Sequence, residues 1–226
     1  MKKLFALLLA AVLVLGLSPA FAQEAVDNTL VIDGAPATAF GYTFNNIGGL
    51  PGSLLFNALF KSNATLDGVQ PDLCEAYTVS DDNLTYTFTI RQDVLWHDGE
   101  PFTPEDVKFN LELIPKLSVV NSIYTNAVKA IEGTDAYLAG EADGISGITI
   151  EGNVVTVKMS RVYGSFLNVI AQWMMLPMHI LESVDPLTAH TDAFWQNPVG
   201  TGPYKVSEVE WGNYAILTRN EDYYGE

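Results

Sequence analysis

The sequence predicts an α/β fold, because strands with one apolar face, a sharply delimited helix and several polar turns alternate without a fixed-period repeat or a low-complexity linker. The first observation is a hairpin. Tyr77 to Ser80 and Thr85 to Arg91 flank Asp81-Asp82-Asn83, side chains that bond their own backbone and tolerate left-handed geometry. Leu84, Tyr86, Phe88 and Ile90 alternate with Thr85, Thr87, Thr89 and Arg91, so one face of the second strand lies on a core. The second observation is a helix with both ends written out. Thr103 stands at the N-cap, Pro104 at the first helical position and Asp106 two places on, and the helix runs through Leu113 to stop before Pro115. The third is a hydrophobic content of 48%, enough for a sizeable core in a chain of 226 residues.

The other elements follow in order. Leu30-Val31-Ile32 reads as a buried first strand and Ser53 to Phe60 as a short helix. His97-Asp98-Gly99-Glu100 is a tight turn, and Ala127 to Ile131 a strand or extended piece. Ile148 to Ile150 and Val154 to Met159 form a hairpin around Glu151-Gly152-Asn153. Ser165 to Trp173 is helical, with Phe166, Val169, Ile170 and Trp173 along one face. Tyr204 to Val209 and Tyr214 to Arg219 pair across Glu210-Trp211-Gly212-Asn213.

At the N-terminus Met1-Lys2-Lys3 precedes an apolar run from Leu4 to Leu17 and then Ser18-Pro19-Ala20-Phe21-Ala22, with small residues where a signal peptidase reads. A secretory leader cleaved after Ala22 is predicted, since the run falls short of the about 20 residues that a spanning helix needs. With 11 basic against 27 acidic residues the formal net charge is −16, and loss of Lys2 and Lys3 makes the mature chain more negative still. Such a surface repels nucleic acid and anionic membrane, and it steers cations from a distance.

Chemistry-bearing constellations are sparse. His97-Asp98 puts two adjacent side chains on one turn, a poor chelate, while His179 and His190 stand alone, so structural roles and no metal are expected. Gly200-Thr201-Gly202 lacks the Lys-Ser or Lys-Thr of a phosphate loop and is followed by Pro203, which points instead to a close approach of backbone. A lone cysteine, Cys74, cannot form an internal disulfide and reads as a packed, inert thiol.

Four ordered segments carry a resemblance. Pro71 to Leu113, Leu176-Pro177-Met178-His179-Ile180, Asn197 to Val206 and Leu217 to Gly225 resemble the extracytoplasmic solute-binding proteins of family 5. These are receptors that feed oligopeptides, dipeptides and sometimes nickel or sugars to ABC importers. In the last segment Tyr224 stands where the family usually has tryptophan.

The resemblance implies the first lobe of a periplasmic-binding-protein-like fold (type II, cluster C) with an inserted subdomain, the second lobe being missing from this sequence. Residues 23–55 and 170–226 would form the cleft-lining lobe and residues 56–169 the inserted subdomain. The implied function is capture of a short peptide, or another small solute, by closure of two lobes, with an inner-membrane ABC permease as partner. The protein would act as a periplasmic monomer without cofactor or catalysis. Lipid-anchored members need a cysteine at the cleavage point, and Cys74 is far from it, so a soluble periplasmic protein is expected.

In members that take peptides, the segment after the first strand offers backbone groups to the ligand as an added strand would. Here that segment is Asp33, Gly34, Ala35 and Pro36, although Ala37-Thr38-Ala39-Phe40 lacks the family's usual acidic pattern. Tyr124 falls where members place an aromatic near the cleft, and Trp173 with Met174 falls on the cleft-side lobe. Tyr124 and Trp173 are thus ligand-contact candidates, with core packing as the alternative for each. Two other readings stay open: a truncated relic or interaction module without ligand, and a secreted hydrolase, for which no Ser-His-Asp order or metal-spaced His/Glu set stands out.

Overall fold

The computed structural model describes residues 29–31, 52–63, 65 and 68–225. In chain order its first elements are β1 (Thr29–Val31), α1 (Gly52–Leu55), β2 (Phe60–Ser62), β3 (Val69–Pro71), β4 (Cys74–Val79), β5 (Thr85–Ile90) and α2 (Pro104–Leu113). Then come α3 (Ser122–Val128), α4 (Thr134–Leu138), β6 (Ile148–Glu151), β7 (Val154–Lys158), α5 (Phe166–Ile170), α6 (Met178–Leu181), β8 (Tyr204–Glu210) and β9 (Tyr214–Arg219). Three sheets result, in the orders β1-β9-β8, β2-β3 and β4-β5-β7-β6, and every ladder among the described residues is antiparallel.

The four-stranded sheet sits where the alternation puts it. Tyr86, Phe88 and Ile90 of β5 and Val155 and Val157 of β7 are buried, with Phe88 in register with Tyr77 on one side and Val155 on the other. Phe60 meets Phe88 edge-on at 5.2–5.4 Å from its two ring neighbours Tyr77 and Phe88, and Phe166 closes on Tyr86 at 4.9 Å. The hairpin turn holds as its side chains dictate. Asn83 takes a φ of 57°, and Leu84 N donates to Asp82 Oδ1 at 3.0 Å. The second hairpin turns at Gly152, with φ 59°.

Helix α2 starts on the predicted box: Thr103 N donates to Asp106 Oδ2 at 2.8 Å, while Asp106 Oδ1 accepts from Met178 N at 3.0 Å. One carboxylate therefore caps α2 and ties the start of α6 to it. The side chain of Asn110, fully buried on α2, is saturated. Its Nδ2 donates to Asp106 O and Leu176 O, both at 2.8 Å, and its Oδ1 accepts from Trp173 Nε1 and Leu176 N, both at 2.9 Å.

Three expected elements differ. The helix expected over Ser53 to Phe60 stops at Leu55, because Ala58 bridges Met174 and Leu59 O accepts from both Asp72 N and Cys74 N; pairing with distant backbone overrides local propensity. Ala127 to Ile131 is not a strand. Helix α3 runs through Val128, capped by Asn121 Oδ1 on Ile123 N at 3.1 Å, with Tyr124, Ala127 and Val128 buried at helical spacing, and only Ile131 bridges Met159. The helix expected over Ser165 to Trp173 ends at Ile170, where the chain turns; Ala171, Gln172 and Met174 then line a cleft while Trp173 points to the interior.

Candidate functional site

That cleft, about 300 Å³, opens where the chain leaving α1 meets the chain leaving α5. The Ala58–Met174 bridge and a hydrogen bond from Met175 N to Asn57 O at 2.9 Å join the two segments. Phe56, Ala58, Phe60, Ala171 and Met174 form its apolar wall, and Ser53, Asn57, Lys61, Ser62, Asp72 and Gln172 its polar part. Such a mixture suits a small amphipathic ligand.

The floor is a side-chain network drawn from four stretches of chain. Asn57 Nδ2 donates to Asp72 Oδ2 at 3.1 Å and to Tyr223 Oη at 3.3 Å, and Asn57 Oδ1 accepts from Thr201 Oγ1 at 3.3 Å. Asp72 Oδ1 accepts from Tyr224 Oη at 2.6 Å and pairs with Lys61 Nζ at 3.1 Å. Asp72 is buried, so three donors compensate a carboxylate that water hardly reaches. Burial, and then the Asp72 charge, push the Tyr224 phenol up, which keeps it protonated as a donor. Arg91 lies 4.8 Å over the Tyr224 ring.

Behind the floor, Gly200 and Gly202 press on α1. A Cβ on Gly200 would stand 1.8 Å from Leu55 O, and one on Gly202 2.3 Å from Leu54 O, so glycine is required for the approach itself. Gly202 N donates to Leu55 O at 2.9 Å. His97 holds this loop from the other side. Gly200 N donates to Nδ1 at 3.2 Å, which leaves the hydrogen on Nε2 to reach Gly202 O at 3.0 Å. Burial, with Lys205 nearby, depresses the His97 imidazole, although the Gly202 bond works the other way. The close backbone approach expected of Gly200-Thr201-Gly202 is thus present, with α1 as the surface approached.

Tyr124 and Trp173 come together, in the interior. Their rings meet edge-on at 5.0 Å, Trp173 is fully buried with its Nε1 on Asn110, and Tyr124 Oη donates to Gln172 O at 3.2 Å. Their geometry supports the cleft wall from behind, since the flanking residues Gln172 and Met174 face the cleft. Asp33, Gly34, Ala35 and Pro36 lie outside the described residues. Asn57, Asp72 and Tyr224 were missed as site residues. A signal existed for two of them: Asn57 is the lone polar residue between Leu54 and Phe60, and Asp72 directly precedes the buried Leu73-Cys74. Cys74 is buried, its Sγ donates to Ala76 O at 3.0 Å, and burial pushes the thiol up to about 12, so it is no nucleophile at neutral pH.

Residues 68–226 match the family described as bacterial extracellular solute-binding proteins, family 5 (middle part). The chain belongs to this family. Among curated relatives of this family 5 member, a putative ABC transporter peptide-binding protein of Brucella ovis is 32% identical over 171 residues, 75% of this chain and 30% of the relative. The nickel-binding periplasmic protein of Escherichia coli is 27% identical, over 100% of this chain and 39% of its own. The chain therefore spans about a third of the length of the relatives it matches.

Solved structures agree. NikZ from Campylobacter jejuni in complex with Ni(L-His) is 32% identical at a TM-score of 0.62, over 77% of this chain and 31% of that one. Lactococcal OppA, complexed with an endogenous peptide in the closed conformation, reaches a TM-score of 0.69 at 23% identity, over 86% and 38%. The fold is that of the family 5 binding proteins, and the chain covers part of it. Among the described residues of this family 5 chain, no helix is long and apolar enough to cross a membrane.

Proposed function

We propose that this chain is the extracytoplasmic ligand-capturing component of an ABC importer for oligopeptides or dipeptides, exported by a leader cleaved after Ala22 and partnered by an inner-membrane permease. The observation that supports it best is the cleft at Phe56 to Ser62 and Ala171 to Met174, an apolar wall over a hydrogen-bonded polar floor. It forms one jaw. A second lobe closing on it buries the ligand and builds the surface that the permease reads, with no bond made or broken.

Residues 23–55 and 170–226 form one lobe in this reading, in keeping with β1 pairing to β9, and residues 56–169 form the inserted subdomain, in keeping with a four-stranded sheet drawn wholly from residues 74–158; the cleft lies at their junction, with Ser53, Ala171, Gln172 and Met174 from the first and Phe56 to Ser62 and Asp72 from the second. Asp33 to Pro36 lend backbone groups to the peptide as an added strand would. Tyr124 and Trp173 fix the wall through Gln172 and Met174, so that the ligand meets a preset surface.

Thermal melts of the mature protein with di-, tri- and pentapeptides, Ni(L-His) and a neutral sugar test this. A rise of several degrees with peptides is expected, since a ligand at a hundred times its Kd adds about 2.7 kcal/mol. A rise with Ni(L-His) alone would replace peptide by a nickel chelate as cargo, a reading that the likeness to NikZ supports. No rise with any of them would end the transport reading.

A further inference from the structure

Among the described residues that line the cleft, the acidic excess of the whole chain is absent. The protein is strongly acidic, yet of the described residues lining the cleft Lys61 is the only cation and Asp72 the only carboxylate. These two are not equally available to a ligand. The Asp72 side chain is 3% exposed and both of its oxygens are engaged, Oδ1 by Tyr224 and Lys61, Oδ2 by Asn57. The Lys61 side chain is 57% exposed, and an ammonium has three hydrogens, of which the bond to Asp72 uses one. The remaining polar groups of the lining are neutral, and Gln172 has its amide nitrogen turned to Asn168 O at 3.0 Å, leaving an acceptor.

From this we infer that Lys61 is an anchor for a carboxylate of the transported solute, taken for a peptide to be its C-terminal carboxylate, with the adjoining side chain lying against Phe56 and Met174. This rests on the cleft being the ligand site proposed above. Three features make the ammonium effective there. Asp72 orients it, and its own charge is shared among Lys61, Tyr224 and Asn57. Phe56, Phe60 and Met174 supply apolar surface beside it for the side chain that adjoins the carboxylate. The acidic exterior acts only at long range, screened over about 8 Å at physiological salt, whereas Lys61 acts at contact. A ligand carrying both charges is thus drawn in by its ammonium and read by its carboxylate.

The test measures Kd by calorimetry on the mature protein and its Lys61→Gln and Lys61→Arg variants, with trialanine, trialanine amide and succinate as probes and ligand-free circular dichroism as the control for folding. Lys61→Gln should weaken trialanine about tenfold, leave the amide unchanged, and be largely rescued by Lys61→Arg. Equal weakening of acid and amide would mean that Lys61 only supports the wall, and unchanged binding of the acid would mean that it touches no ligand; either result overturns the inference. Tight, Lys61-dependent binding of succinate with none of the peptide would uphold the carboxylate anchor and overturn the peptide reading. Silence from all three probes would overturn both.

Discussion

One buried polar cluster, around Asn57, lines the cleft, and another, around Asn110, holds Trp173 between the cleft residues Gln172 and Met174; they are satisfied in different ways. Asn110 is closed by main chain and one indole: Asp106 O, Leu176 O, Leu176 N and Trp173 Nε1 take up all of its capacity. Asn57 is closed by side chains, through Asp72, Tyr223 and Thr201, and the chain of bonds continues to an exposed Lys61. A cluster tied to backbone has nothing left to offer a ligand and works as scaffold. One tied to side chains ends in a group with spare donors, and that end faces the cleft.

The largest expected effect would break the comparison from behind. Gly200→Ala drives a Cβ into Leu55 O and displaces the helix that leads into Asn57, with a loss of more than about 3 kcal/mol in urea unfolding. Asn110→Ala comes next at about 3 kcal/mol, because it strands the Trp173 indole and two main-chain groups; a fall in Tm of roughly 6–12 °C is expected by calorimetry. Tyr224→Phe removes one donor from the buried Asp72 and should cost about 1.5 kcal/mol, half of the Asn110 effect or less, since Lys61 and Asn57 remain. If Tyr224→Phe proved as costly as Asn110→Ala, the distinction between scaffold and adaptable floor would collapse.

The smallest effect is a pH dependence from His97. Its folded imidazole is held below the ordinary value near 6.5 by burial, so the unfolded chain takes up the proton first. The stability that His97 contributes is therefore complete above about pH 6.5 and drains away as pH falls through that value towards the lowered one. Chemical denaturation at a series of pH values should show this decline, and His97→Gln should flatten it.

The hairpins, the capped helix and the strand pair near the C-terminus were legible because each is specified within a few residues: Asn83 and Gly152 at the turns, Thr103 with Asp106 at the cap. Where tertiary partners decide, local reading went astray. Leu54 to Phe60 is apolar enough for a helix, but Ala58 and Leu59 are claimed by Met174, Asp72 and Cys74, none of them near in sequence. Candidate site residues divided along the same line. Aromatic character singled out Tyr124 and Trp173, whose rings turned inward, whereas Asn57 and Asp72 acquire meaning only when Thr201 and Tyr224 arrive from the far end of the chain.

The pairing of β1 with β9 joins the two ends of the described chain, which bears on how its sheets can form. Thr29 finds its register partner only at Thr218, so β1 has no partner until β9 exists, whereas β4-β5 and β6-β7 are local hairpins that join across β5 and β7. Pairing over so long a span costs loop-closure entropy that the local hairpins avoid. Within the described residues the sheet β1-β9-β8 is therefore expected to close after the sheet β4-β5-β7-β6.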